Sequence, residues 1–156
     1  MSSVDINSVV QTAIRLLDNQ IKKSTYNFHC QLGTNLPQIH ASAQRVEQVV
    51  VNLLLNACQA LQQPQQAIWV TTAYSAESAE LSIRVQDEGC GIAADKLDFL
   101  MDPFFTTKRE QGGTGLGLSV SAGIAKSHGG RLEFSSTLGS GMVATLYLPQ
   151  RRTDNG

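Results

Sequence analysis

The chain has 156 residues, of which 42% are hydrophobic and 16% charged, enough for one domain around one core. A net charge of −1 and a pI near 6.3 argue against a nucleic-acid surface, which calls for a basic face. The most apolar run, VVVNLLLNAC, is too short and too broken by amides to span a bilayer, and no signal peptide opens the chain.

The first element expected is a helix over Asp5–Ser24, capped by an acidic residue, with Val9, Ile14, Leu17 and Ile21 on an apolar stripe. Tyr26–Leu32 alternates and reads as a strand, closed by Gly33 and Pro37. Ser42–Gln62 is a strongly amphipathic helix, with Val46, Val49, Val50, Leu53, Ala57 and Leu61 at helical spacing. A turn at Pro64 precedes strands Ile68–Tyr74 and Glu80–Gln86, which should pair as a hairpin, and Ala93–Leu100 fits a short helix. Leu116–His128 is helical and stopped by Gly129 and Gly130; Arg131–Thr137 and Met142–Leu148 then form a hairpin around LGSG. The polar tail from Gln150 should fray. No repeat or linker divides the chain.

Three places carry chemistry. Asn52 and Asn56, four residues apart, stack on one face of the second helix. An unpaired amide in so apolar a setting costs about 1 to 3 kcal/mol, so both need partners, either a neighbouring loop or a ligand. An amide oxygen is a hard ligand suited to Mg²⁺. Next, the strand LSIRV runs into Asp87-Glu88-Gly89-Cys90-Gly91-Ile92. A carboxylate at a strand end followed by permissive glycines can accept a hydrogen bond from an exocyclic amine such as that of adenine. Last, DPFFTTKREQGGTGLGL (residues 102–118) joins two phenylalanines, a polar segment and the alternating Gly113, Gly115 and Gly117 at a helix N-terminus. Bare amides and the helix dipole favour phosphate there, with Lys108 and Arg109 within reach. A flexible loop is the plain alternative for the glycines alone.

In order, NLLLNA (52–57), DEGCGI (87–92), DPFFTTK (102–108) and GTGLGLS (113–119) resemble the N, G1, F and G2 boxes of sensor histidine kinases. GSGMVATLYLP (139–149) is similar to the closing hairpin of the same ATP-binding domain, and DPFFTTK looks closest to the nitrogen-regulation subtype. The likeness covers nearly the whole chain. It implies a Bergerat-type α/β fold: a two-layer sandwich of a mixed, mostly antiparallel sheet covered on one face by about three helices. It also implies ATP and Mg²⁺ as bound species. Carried over residue by residue, Asn56 holds Mg²⁺, Asn52 positions the γ-phosphate, and Asp87 reads the adenine amine, with Gly89, Gly91 and Ile92 beside the base. Phe104 and Phe105 anchor a lid containing Thr106, Thr107 and Lys108. Gly113, Thr114, Gly115, Leu116, Gly117 and Leu118 wrap the phosphates.

Two departures stand out. Many relatives carry a lysine one turn after the metal-binding asparagine, where this chain has Gln59, so a phosphate contact falls to Lys108, to Arg109 or to no basic residue. No histidine is followed by an acidic residue, unlike the usual phosphoacceptor. His29 reads as a strand histidine, His40 as a loop histidine and His128 as a cation favoured by a helix C-terminus. The chain is therefore expected to be a single catalytic domain, residues 1–156, cytoplasmic and monomeric, without direct membrane contact. Its partners are then a histidine-bearing dimerisation domain of the same protein and a response regulator. Asn52 stands where gyrase-type and chaperone-type relatives carry a water-activating glutamate, and an amide cannot act as a base; an ATP-gated switch and a degenerate interaction module are the alternatives. The three cysteines form no disulfide or zinc pattern. Cys30 and Cys58 should be buried and reduced, and Cys90, between two glycines, shielded by nucleotide.

Overall fold

The computed structural model describes residues 1–90, 116–137 and 141–150, with the backbone alone for 116–118 and 137. In chain order these form β1 (Ser2–Val4), α1 (Ile6–Leu16), α2 (Asp18–Ser24), β2 (Phe28–Gln31), β3 (Ile39–Ala41), α3 (Ala43–Ala60), β4 (Ile68–Ser75), β5 (Glu80–Asp87), α4 (Leu116–Ser127), β6 (Arg131–Thr137) and β7 (Gly141–Pro149).

Five strands make one sheet in the order β2-β4-β5-β7-β6. β2 pairs parallel to β4, with α3 in the connection, and the other pairs are antiparallel. The sheet is mixed and mostly antiparallel, as expected. Alternation decides which face is covered. Ile68 and Val70 of β4, Leu81, Ile83 and Val85 of β5, and Leu146 and Leu148 of β7 are buried, while Trp69, Arg84 and Tyr147 lie on the opposite face. On that open face the His29 and Trp69 rings stack, with centroids 5.8 Å apart.

α3 is the central helix. Val46, Val49, Val50, Leu53, Leu54 and Ala57 are all buried in the core, each larger side chain contributing about 1.5 to 3 kcal/mol. Ser42 caps it, its Oγ accepting from Arg45 N–H at 3.3 Å. Ile6, Val9, Val10 and Ala13 of α1 join the same core.

Five sequence expectations change here. The first helix breaks at Leu17 (φ −103°, ψ 12°), and the turn between α1 and α2 leaves Leu16 64% exposed while burying Ile21. Four helices rather than three are therefore present among the described residues. β1 and β3 form a small antiparallel sheet of their own, with Ser3 opposite His40, so His40 is a strand residue and not a loop residue. Cys30 is exposed on edge strand β2; Cys58 is buried, as expected.

His128 is the fifth. It is 5% exposed, and its Nε2 accepts the Ser42 backbone N–H at 3.1 Å. Nδ1 then carries the proton and donates to the Ile124 carbonyl at 2.8 Å. The ring is neutral: it joins the start of α3 to the end of α4 rather than serving as a helix-end cation. The expected helix over 93–100 and the polar tail beyond residue 150 lie outside the described residues.

Candidate nucleotide site

Asn56 and Asp87, 31 positions apart in the sequence, meet at one end of the sheet. Asn56 is on the sheet-facing side of α3, beside the core residues Leu53 and Ala57, and is 5% exposed. Asp87 ends β5 and is 4% exposed. Together with Leu53 and Ala57 of α3, Val85 of β5, Phe134 of β6 and Met142 of β7, they line a small, partly open pocket. Its walls are apolar and its polar groups few, the usual make-up of a small-molecule site.

The strand end is held in place by its backbone. Asp87 Oδ1 accepts the Gly89 N–H at 2.8 Å. Glu88 N–H donates to the Ala67 carbonyl at 3.1 Å, and the Glu88 side chain accepts the Ala67 N–H at 2.7 Å. The Cys90 N–H donates to the Ala60 carbonyl, the last residue of α3, at 3.0 Å. A Cβ at Gly89 would come within 2.4 Å of that same carbonyl oxygen. The glycine is thus required where the chain presses on the end of α3. Near these groups, burial pushes the Cys58 thiol up; a Ser24 hydrogen bond opposes this and the Asp87 carboxylate adds to it. Cys58 therefore adds no second anion beside Asp87.

Asn52 lies one turn before Asn56 and donates from Nδ2 to Ser121 Oγ at 3.1 Å. Ser121 is fully buried in α4, so this bond ties the asparagine helix to the glycine-started helix. Sequence reasoning missed Ser121 and Ala60. Ser121 is one of three serines on its helix and nothing in the sequence sets it apart, and Ala60 gave no signal, since its backbone makes the contact.

Gly117, Leu116 and Leu118 stand in the first turn of α4, as expected. Gly91, Ile92, Phe104, Phe105, Thr106, Thr107, Lys108, Arg109, Gly113, Thr114 and Gly115 lie outside the described residues. Among the described residues no cluster of three or more His, Cys, Asp or Glu could hold a metal ion. The donor chemistry on hand is the Asn56 amide, which fits an ion that takes few protein ligands and completes its shell with water and phosphate oxygens. No described helix is long and apolar enough to cross a membrane.

Residues 41–152 match the family described as histidine kinase-, DNA gyrase B- and HSP90-like ATPase. The sensor histidine kinase ZraS of Escherichia coli K12 is 40% identical over 149 residues, covering 96% of this chain and 31% of that protein. A putative sensor protein of Shewanella frigidimarina is 42% identical, covering 97% of this chain and 22% of its own length. This chain thus spans a third or less of the curated relatives it matches. The catalytic domain of histidine kinase ThkA, solved free of nucleotide, superposes with a TM-score of 0.83 at 25% identity, over 96% of this chain and 95% of that one. These likenesses establish that the chain belongs to the histidine kinase-, DNA gyrase B- and HSP90-like ATPase family, and within it the chain is similar to the catalytic domains of sensor histidine kinases.

Proposed function

We propose that this single domain binds ATP with Mg²⁺ and transfers the γ-phosphoryl group to a histidine on a separate dimerisation domain of the same protein. From there the phosphoryl group passes to a response regulator. The observation that carries the reading is the pocket shared by Asn56 and Asp87, two buried polar side chains among apolar walls. Asp87 would accept a hydrogen bond from the adenine amine, and Asn56 would hold Mg²⁺, which supplies positive charge between the phosphates. Asn52 and Lys108 would position the γ-phosphate. Gly91, Ile92, Phe105, Thr106 and Thr107 would border the nucleotide, and residues 113–118 would meet its phosphates.

In the transfer, the bond between the γ-phosphorus and the bridging oxygen breaks as a nitrogen–phosphorus bond forms to the acceptor imidazole, and ADP leaves. The domain supplies positioning and charge stabilisation, which this chemistry chiefly requires. The DPFFTTK segment and the 40% identity to ZraS support the nitrogen-regulation-like subtype. A cytoplasmic location agrees with a nucleotide substrate.

Titrating the chain calorimetrically with a non-hydrolysable ATP analogue, with Mg²⁺ and again in chelator, tests the reading. Metal-dependent binding is expected. No binding under either condition would overturn it in favour of an interaction module that has kept only the fold.

A further inference from the structure

Asp87 owes its place to a residue outside its own motif. Gly141, the first residue of β7, has φ +101°, a backbone conformation side chains rarely adopt. A Cβ built there would lie 2.0 Å from the Asp87 carbonyl oxygen, 3.0 Å from its carbon and 3.1 Å from Glu88 Cα. The Gly141 carbonyl in turn accepts the Ser136 hydroxyl at 3.0 Å, which fastens the β6–β7 turn at that point. On its other sides the Asp87–Gly89 backbone is held by Ala67 and Ala60. At Gly141, as at Gly89, a missing side chain makes room for the strand end.

We propose that Gly141 is a specificity-determining residue: its bare α-carbon lets β7 seat against the Asp87 carbonyl, and that seat sets where the Asp87 carboxylate meets the 6-amino group of the base. The inference rests on the reading of Asp87 given above. Relieving the 2.0 Å contact requires a displacement of about 1 Å, more than a hydrogen bond tolerates without weakening. Hydrogen bonds to a charged group carry roughly a tenfold or larger preference.

The test compares Mg·ATP with Mg·ITP, which share ribose and triphosphate but differ at position 6, where ITP has a carbonyl in place of the amine. Both nucleotides are measured by competition for the 156-residue chain in wild type, Gly141→Ala and Asp87→Asn. Wild type should prefer ATP by about tenfold or more. In Gly141→Ala that preference should fall to within about threefold while ITP affinity is retained. Equal losses for both nucleotides, or an unchanged ratio, would overturn the proposal, because general loosening of the fold does not single out the amine. In Asp87→Asn the preference should also collapse, since the amide can donate to the ITP carbonyl. If it persists there, the reading of Asp87 itself fails and the proposal with it; if it collapses there but not in Gly141→Ala, only the role of Gly141 fails. Should circular dichroism show Gly141→Ala unfolded, Ser136→Ala decides: a reduced ATP preference supports the proposal and a wild-type ratio overturns it.

Discussion

At the end of the sheet where β5 begins, Arg131 donates to Glu80 at 2.5 Å and to Glu133 at 2.8 Å, and its guanidinium lies 3.9 Å above the Tyr147 ring. In the same half, Asn7 donates to the Gly33 carbonyl, the Gly33 N–H donates to Thr72, and the Thr72 hydroxyl donates to Asn7, all at 2.7 to 2.8 Å. The end where β5 finishes is built differently. There Asp87 and Asn56 face a pocket, and close backbone contacts at Gly89 and Gly141 hold the strand end. One end closes its polar groups on each other, and the other lines a pocket with two of them. Stability and nucleotide recognition should therefore respond to different mutations.

The sharpest way to break that contrast is Asn56→Ala. Affinity for Mg·ATP should fall by about 100-fold or more, while affinity in chelator and the urea midpoint stay near wild type. A variant that unfolds instead would make the amide a structural group. Gly89→Ala comes next, because its Cβ meets the Ala60 carbonyl at 2.4 Å with backbone on both sides. It should cost about 1 to 3 kcal/mol in urea unfolding and weaken nucleotide binding as well. At the other half, Thr72→Val deprives Asn7 and the Gly33 N–H of their shared partner. A loss of about 1 to 2 kcal/mol in unfolding is expected with calorimetric nucleotide affinity unchanged; a change in affinity would show that the two halves are coupled. Smallest of all, Arg131→Ala should lower Tm slightly, and less so at high salt, because exposed ion pairs are screened. Its nucleotide affinity should equal that of wild type.

Much of the fold behind this contrast is legible in the sequence. The alternation in IWVTTAYS and ELSIRVQ marked β4 and β5, and the 3.6-residue spacing from Val46 to Leu61 marked α3, because each pattern spans enough residues to exceed chance. β1 and β3 escaped notice because three residues carry no measurable period. The break at Leu17 escaped because no proline or glycine marks it and the apolar stripe runs on past it. His128 was misread from its position: a helix end suggests a cation, but the Ser42 N–H that fixes its tautomer lies 86 residues away.

By itself the sequence determined the longer elements and their order, the α/β class, and which polar side chains interrupt the apolar patterns, Asn52, Asn56 and Asp87 among them. These depend on local periodicity and on side-chain chemistry, both of which are written residue by residue. Only the tertiary structure decided that Asn56 and Asp87 share a pocket, that Asn52 reaches Ser121, and that Gly89 and Gly141 are glycines because Ala60 and Asp87 crowd them. Those facts arise from contacts between chain segments far apart in sequence, where backbone atoms common to every residue do the crowding and leave no mark in the letters.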